Sequence, residues 1–214
     1  MSIIIEWLFP KNCFGCGKGG KYLCSLCEEK LNNGVLKKLD QFEGIISIYK
    51  YDGVMKKIIE KVKYEFVSDA IEEMAELMAK KLKLNYPNIV DYWQKEKFVL
   101  MSIPLYKYRK NWRGFNQSEI LAEKLGIALN LSCENNVLVK EIKTKNQATI
   151  KNRQNRQKNI KNVFSVNSKK TNPKKIILVD DVVTSGATMT AAQRILRNSG
   201  AGLLWGLSLC GVLK

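Results

Sequence analysis

Two adjacent aspartates, Asp180 and Asp181, are the residues best suited to chemistry in this sequence. They follow an apolar run, Ile176 to Val179, and precede a stretch of small and hydroxyl residues, Val182 to Thr188. Carboxylates accept hydrogen bonds from sugar hydroxyls, whereas backbone amides at the start of a helix bind phosphate. The pattern therefore predicts a ribose phosphate site. The alternative is that both acids are simply solvated at the end of a strand.

Other common kinds of site are excluded by residues that the sequence lacks. The chain has 214 residues and no histidine, so histidine triads, histidine general bases and histidine metal ligands are ruled out. It also has no Gly-x-x-x-x-Gly-Lys-Ser/Thr segment, so the phosphate-binding stretch is not a Walker loop. Acid–base chemistry would fall to Asp, Glu, Lys, Tyr or Cys.

Four cysteines near the N-terminus form a second group with chemical potential. They make two Cys-x-x-Cys pairs, and the members are Cys13, Cys16, Cys24 and Cys27. This spacing is typical of a zinc site, and four thiolates leave no open position for catalysis. Two disulfides are the alternative, which a reducing compartment disfavours. The isolated Cys133 and Cys210 are expected to be small buried apolar residues.

The charge is strongly positive and unevenly distributed. Lys and Arg number 36 against 20 Asp and Glu, giving +16, and the segment 142–175 carries eleven basic residues and no acidic one. This balance predicts an anionic partner. No run approaches the ~18 apolar residues of a membrane span. The first residues lack the basic start of a signal peptide, so we expect a cytoplasmic protein without a membrane span.

Strands and helices are predicted to alternate along most of the chain. Apolar runs predict strands over Gly44–Tyr49, Phe98–Ile103, Lys174–Val179 and Leu203–Leu213, and helical periodicity predicts helices over Val54–Lys63, Ile71–Leu82, Asn116–Leu129 and Thr188–Ser199. This order is typical of an α/β domain whose parallel sheet is covered on both faces. We expect a zinc module over 1–40 and the α/β domain over 41–214. In such folds the ligand lies beyond the carboxyl ends of the strands.

Three segments resemble known families. Ile176 to Thr188 resembles the phosphoribosyl pyrophosphate (PRPP) signature of type I phosphoribosyltransferases at every position. The segment from Ile103 to Gln117, which contains Arg113-Gly114-Phe115-Asn116-Gln117, resembles a block of the ComF family, as does Gln147 to Phe164. With the cysteine module, the resemblance covers nearly the whole chain. It implies a type I phosphoribosyltransferase fold, a parallel sheet flanked by helices with a flexible hood.

The resemblance also implies roles for individual residues. Asp180 and Asp181 would be catalytic and bind the ribose hydroxyls, and Mg²⁺ would accompany the pyrophosphate. The 5-phosphate would be bound by Thr184, Ser185, Gly186, Ala187 and Thr188. The pyrophosphate would lie at the loop after Ile103, which carries Lys107, Arg109, Lys110 and Arg113. The segment 142–164 would be the flexible hood, from which Arg153 and Arg156 would close on bound ligand.

Two functions of different classes follow. ComF-like proteins belong to the DNA-uptake machinery of natural transformation, so one expectation is PRPP binding there, either to transfer ribose 5-phosphate to an unknown acceptor or to sense the ligand. The other is a non-catalytic module that binds single-stranded DNA through the basic segment 142–175, beside helicase-like and recombination proteins. Trp112 and Phe115 are candidates for base stacking. Packing is the interpretation that we favour for them.

Overall fold

The computed structural model describes residues 10–38, 42–65, 67–140, 163–167 and 173–212. Within these ranges the helices are α1 (Ser25–Glu28), α2 (Gly53–Tyr64), α3 (Asp69–Asn85), α4 (Pro87–Lys95), α5 (Lys107–Arg113), α6 (Gln117–Leu129) and α7 (Ala187–Asn198). The strands are β1 (Leu36–Lys37), β2 (Gly44–Lys50), β3 (Val99–Ser102), β4 (Ser132–Cys133), β5 (Leu138–Lys140), β6 (Phe164–Val166), β7 (Lys175–Val183) and β8 (Leu203–Gly211).

A six-stranded sheet forms the centre of the fold, in the order β1-β2-β8-β7-β3-β4. All its strand pairs are parallel except β1 with β2, which is antiparallel. β5 and β6 form a separate antiparallel pair. The four apolar runs of the sequence are thus β2, β3, β7 and β8, and the predicted parallel sheet is confirmed.

Alternation along the central strands divides the core into two layers. Ile177 and Val179 of β7 pack in the cluster that includes α2, α3, α4 and α6. Ile176 and Leu178, their neighbours on the same strand, pack in the cluster that includes α7, β5 and β6. Because successive side chains of a strand point to opposite faces, an entirely apolar strand requires cover on both sides. This requirement explains why helices flank the sheet.

Two predictions for segments that line the cleft differ from the structure. β7 does not end at Val179 but continues to Val183, because β8 pairs with it as far as Gly211. The segment Lys107–Arg113 was expected to be a loop, yet it forms the short helix α5, which ends at Gly114 with a φ of 80°. A left-handed residue at a helix C-terminus favours glycine, which has no Cβ to clash.

The cysteine segment packs directly against the α/β domain. Leu23 is only 2% exposed and belongs to the same core cluster as α2 and α3. The backbone amides of Tyr22 and Leu23 donate to the two carboxylate oxygens of Glu73 on α3, at 3.1 and 2.9 Å. Residues 39–41 lie outside the described ranges, so the boundary between 1–40 and 41–214 stays a prediction. No helix in the described ranges has both the length and the apolarity to cross a membrane.

Candidate functional site

The candidate site lies where the chain connections of the sheet change direction. β3 leads through α6 to its outer neighbour β4, whereas β7 leads through α7 to β8 on the opposite side. Two adjacent parallel strands whose connections diverge leave a crevice at their carboxyl ends. A cleft of about 340 Å³ occupies this crevice, and both aspartates and the 184–188 segment line it. The structure therefore brings the two predicted groups, the aspartates and the 184–188 segment, to one cleft.

The aspartates lie on the part of β7 that extends beyond β3. The last β3 residue in register, Ser102, pairs with Val179, so Asp180 is the first β7 residue without a β3 partner. Its neighbour on β8 is Ser208. The chain is therefore held in extended form by β8 on one side while its other edge opens to the cleft. This geometry explains how a strand, rather than a loop, delivers the two carboxylates.

Asp181 is buried and forms an ion pair. The Nζ atom of Lys63, at the end of α2, lies 2.6 Å from Asp181 Oδ2, and the side chain of Asp181 is 5% exposed. Gln117 Nε2 donates to the same oxygen at 3.1 Å. Burial opposes ionisation of Asp181, but the Lys63 charge outweighs it and lowers the pKa of this carboxyl. Asp181 is therefore the ionised member of the pair.

Asp180 lies in a different environment. Its Oδ1 atom accepts hydrogen bonds from Ser118 Oγ at 2.9 Å and from the Asp181 backbone amide at 2.8 Å. Among the described residues no donor is bonded to its Oδ2 atom. Burial, followed by the nearby charge of Asp181, raises the pKa of Asp180 to about 7. The two acids are therefore electrostatically unequal, and Asp180 titrates near neutral pH.

The Arg113-Gly114-Phe115-Asn116-Gln117 block positions the side chains that hydrogen-bond the two aspartates. Asn116 accepts from the Ser118 backbone amide at 3.2 Å and so caps α6, while its Nδ2 donates to the Ile103 carbonyl at 3.1 Å. Arg113 Nη1 donates to Gln117 Oε1 at 2.6 Å. A capping residue of this kind fixes the first turn of its helix. That turn carries Gln117 and Ser118, the partners of the two acids.

The 184–188 segment has the features expected of an anion-binding turn. Gly186 precedes α7 with a φ of 73°, and the Thr190 amide donates to its carbonyl at 2.9 Å. Thr184 and Ser185 are exposed, and Ala187 and Thr188 are partly exposed in the first turn of α7. All five predicted phosphate-binding residues line the same cleft as the aspartates. Amides of a helix N-terminus facing a cleft can bind an anion.

The predicted pyrophosphate residues are only partly brought together. Arg109 and Arg113 line the cleft, although Arg113 is 9% exposed and bonded to Gln117. Lys110 lies instead beside a neighbouring hollow of about 240 Å³. It pairs there with Glu119 at 2.7 Å. Arg153 and Arg156, together with most of the predicted hood, lie outside the described residues.

Sequence reasoning did not identify several lining residues. Lys63, Ser118 and Lys140 reach the cleft from α2, α6 and β5, and Tyr51 and Tyr64 lie along its wall. Burial lowers the pKa of Lys140. Ser118 directly follows the ComF-like block and could have been included with it. The other residues are distant in sequence from both motifs, and no local spacing marks them.

The four N-terminal cysteines converge on one point. The Sγ atoms of Cys13, Cys16, Cys24 and Cys27 all lie within 4.8 Å of one another, and those of Cys16 and Cys24 are 3.6 Å apart. Four sulfurs placed tetrahedrally around zinc at ~2.3 Å would be about 3.8 Å apart. A Cβ at Gly15 would lie 2.7 Å from Cys27 Sγ, so only glycine fits beside the cluster. The four thiolates can hold one metal ion.

The comparisons with known proteins agree with this architecture. A family model described as "Phosphoribosyl transferase domain" matches residues 113–203. That range contains α6, β7 and α7, and with the parallel sheet it defines a type I phosphoribosyltransferase fold. "Competence protein F" of Haemophilus influenzae is 26% identical over 203 residues, which are 92% of this chain and 83% of that protein.

Two further relatives match over much of the chain. "Competence protein ComFC" of Bacillus subtilis is 25% identical over 83% of this chain and 65% of that protein. "DNA utilization protein YhgH" of Escherichia coli strain K12 is 24% identical over 97% of this chain and 92% of that protein. The YhgH alignment, which covers 97% of this chain, includes the cysteine segment as well as the cleft. Over most of its length the chain is thus similar to competence and DNA utilization proteins.

Proposed function

We propose that this protein acts in competence or DNA utilisation and that its cleft binds PRPP together with Mg²⁺. The process is suggested by the names of its relatives, "Competence protein F" and "DNA utilization protein YhgH". The ligand is suggested by one arrangement, a pair of strand-borne carboxylates that faces the start of α7 across a single cleft. Asp180 and Asp181 supply acceptors for hydroxyls, and the 184–188 segment supplies donors for a phosphate.

Each part of PRPP has suitable groups in the cleft. The ribose hydroxyls would donate to Asp180, whose Oδ2 lacks a donor among the described residues. The 5-phosphate would be bound by Thr184 to Thr188. The pyrophosphate would lie near Arg109, and planar guanidinium groups suit phosphate oxygens. Mg²⁺ would be held by the pyrophosphate and arrive with the ligand as part of the substrate, since hard cations prefer oxygen donors.

The same arrangement supports transfer chemistry. The bond between C1 and the pyrophosphate oxygen would break, its electron pair would leave with the pyrophosphate, and the ring would become positive. The Asp180 and Asp181 carboxylates, beside the bound ribose, would favour that charge. A lone pair of the acceptor would then form the new bond to C1. Binding without transfer, as a sensor, uses the same contacts except those to the acceptor.

The test is calorimetric titration of PRPP with Mg²⁺ into the wild type and into Asp180→Asn/Asp181→Asn. Binding by the wild type and loss in the double variant are expected. Asp91→Asn, an exposed position on α4, serves as the control. No binding by the folded, metal-loaded wild type would contradict the proposal. If binding occurs, release of pyrophosphate in the presence of candidate acceptors distinguishes transfer from sensing.

Single-stranded DNA binding is a second candidate, favoured by the surface of α5. Tyr108 and Trp112 are 64% and 53% exposed and lie four residues apart on this helix, with Lys107, Arg109 and Lys110 between or beside them. Residues four apart share one face of a helix. Exposed aromatics among cations are typical of surfaces that stack bases and neutralise phosphates. The exposure of Trp112 differs from the packing role that we favoured on sequence.

The DNA candidate is tested by fluorescence anisotropy with a labelled oligothymidine at increasing salt. Affinity should fall steeply with salt if phosphates are neutralised. Trp112→Ala should weaken binding by about tenfold, because base stacking contributes ~1–3 kcal/mol. Tyr92→Ala, a partly exposed aromatic on α4, is the matched control. Affinity that is independent of salt, or equal in the Trp112 and Tyr92 variants, would contradict this function.

We also propose that the cysteine cluster binds one structural zinc ion. The sulfur spacing fits a tetrahedral four-thiolate site, and such sites have no open position for substrate. Metal analysis under reducing conditions should give one zinc per chain. A content far below that would contradict the assignment.

A further inference from the structure

Asp181 is one member of a closed ring of hydrogen bonds that includes an ion pair. Lys63 Nζ lies 2.6 Å from Asp181 Oδ2, and Gln117 Nε2 donates to that oxygen at 3.1 Å. Gln117 Oε1 accepts from Arg113 Nη1 at 2.6 Å, and Arg113 Nε donates to the Lys63 carbonyl at 3.2 Å. The ring therefore returns to the residue where it began. It joins α2 and β7 to the consecutive helices α5 and α6.

The ring determines the orientation of each member. The amide of Gln117 has one acceptor and one donating nitrogen, and its two neighbours, Arg113 and Asp181, require opposite ends of it. Lys63 is anchored twice, through its ammonium and its backbone carbonyl. Asp181 is consequently held at Oδ2 by two donors from different helices. From the described residues Asp180 receives only a hydroxyl and a backbone amide, both at Oδ1.

We propose that Lys63 is a positioning residue of this site, which fixes the Asp181 carboxylate so that Asp180 remains the acceptor for the ribose. The inference rests on the proposed PRPP function and names a residue for it that lies outside both sequence motifs. Lys63 contributes no ligand contact in this role. Its charge neutralises Asp181, and the ion pair connects the end of α2 to β7.

Loss of the Lys63 charge should change how the acid pair titrates. The charged and titratable groups that face Asp181 are Lys63 of α2, Arg113 of α5, Asp180 of β7, Cys210 of β8 and Tyr51 after β2. Of the cations in the described ranges, Lys63 is the one in direct contact with Asp181. Without it, two neighbouring carboxylates would compete for ionisation, and a higher pH would be needed to charge both.

The experiment measures PRPP affinity with Mg²⁺ by calorimetry from pH 6 to pH 8.5. The variants are Lys63→Met, Lys63→Arg and the control Lys57→Met, which removes the same charge from an exposed position of α2. Lys63→Met should weaken binding by about tenfold or more at pH 7, because a misplaced catalytic group is costly. It should also move the midpoint of the pH dependence upward by about one unit. Lys63→Arg should restore much of the wild-type affinity and of the wild-type pH midpoint, because it keeps the positive charge.

The outcomes separate this inference from the function on which it rests. If the wild type does not bind PRPP, the proposed function and the role of Lys63 are both overturned. Wild type that binds, together with a folded Lys63→Met variant of unchanged affinity and pH profile, overturns the role of Lys63 alone. If Lys63→Met does not fold, Lys63→Gln keeps a donor but no charge, and an unshifted pH midpoint in that variant overturns the inference. A shift in the Lys57 control equal to that in Lys63→Met would also overturn it.

Discussion

Two adjacent aspartates of identical chemistry acquire opposite properties from their neighbours. Asp181 is kept ionised by Lys63, whereas burial and the charge of Asp181 raise the pKa of Asp180 to about 7. A hydroxyl donates more strongly to a carboxylate than to a carboxylic acid. Bound ribose would therefore favour the ionised form of Asp180, and binding near neutral pH should release a proton.

This coupling predicts the pH dependence of PRPP binding. Affinity should rise as the pH is raised through about 7, where Asp180 loses its proton. Calorimetry in two buffers of different ionisation enthalpy measures the proton released. Asp180→Asn should bind about tenfold more weakly, because a charge-assisted hydrogen bond contributes ~1.5–3 kcal/mol, and should release fewer protons. PRPP itself releases the same number of protons on binding to the wild type and to Asp180→Asn. Equal total proton release by the two proteins would therefore contradict the prediction.

The Asp180 carboxyl also makes the free energy of unfolding depend on pH. Its folded pKa of about 7 lies above the usual value, so between about pH 4 and pH 7 the unfolded chain ionises Asp180 while the folded chain keeps it protonated. The Asp180 contribution to the free energy of unfolding therefore falls as the pH rises through this window. Urea unfolding at pH 5 and pH 7 should show a smaller decrease in Asp180→Asn than in the wild type.

Gly15 allows a third test at the scale of one residue. Its hypothetical Cβ would lie 2.7 Å from Cys27 Sγ, closer than real Cβ atoms approach, so Gly15→Ala should displace a metal ligand. We expect zinc content and thermal stability to fall. Gly19→Ala is the control, because the nearest atom to its Cβ would be Asn12 Oδ1 at 3.8 Å. Equal zinc content in the two variants under a competing chelator would contradict the prediction.

At the scale of elements, the sequence predicted the strands that a local hydrophobic pattern determines. The apolar strands β2, β3, β7 and β8 were all predicted, because hydrophobic runs act within a few positions. The extension of β7 to Val183 depends on pairing with β8, which local pattern does not contain. The contact of Lys63 with Asp181 joins residues more than a hundred positions apart. Tertiary packing alone creates it.

The docking of the cysteine segment on α3 is a testable contact between elements. Glu73 accepts from the backbone amides of Tyr22 and Leu23 with separate oxygens. Glu73→Ala would leave two partly buried amides without this partner, at a cost of ~1–3 kcal/mol. Hydrogen exchange should accelerate at residues 22 and 23. Glu76→Ala, on an exposed turn of α3, should leave exchange unchanged, and an equal effect of both variants would show that the contact is unimportant.

At the scale of the whole molecule, the cysteine module and the α/β domain share one core. Leu23 is 2% exposed within the main cluster, and Phe14 and Tyr22 pack against that cluster. β1 also extends the central sheet beyond β2. The proposed zinc ion thus stabilises a segment whose loss would expose part of the main core and one edge of the sheet.

Removal of zinc should consequently destabilise the whole chain and not only residues 10–38. Structural zinc sites contribute directly to folding free energy, and for a chain of this size each 1 kcal/mol shifts the melting temperature by about 2–4 °C. Calorimetric melting of the zinc-loaded protein should show one transition, and a chelator under reducing conditions should lower it by roughly 10 °C or more. Tryptophan emission of a Trp7→Phe variant reports the α/β domain during the same melt, since the remaining tryptophans lie in that domain and the buried Trp93 and Trp205 contact each other edge to face at 5.4 Å. If the chelator left the tryptophan transition in place, the module would be an independent unit, and the shared core would have little energetic weight.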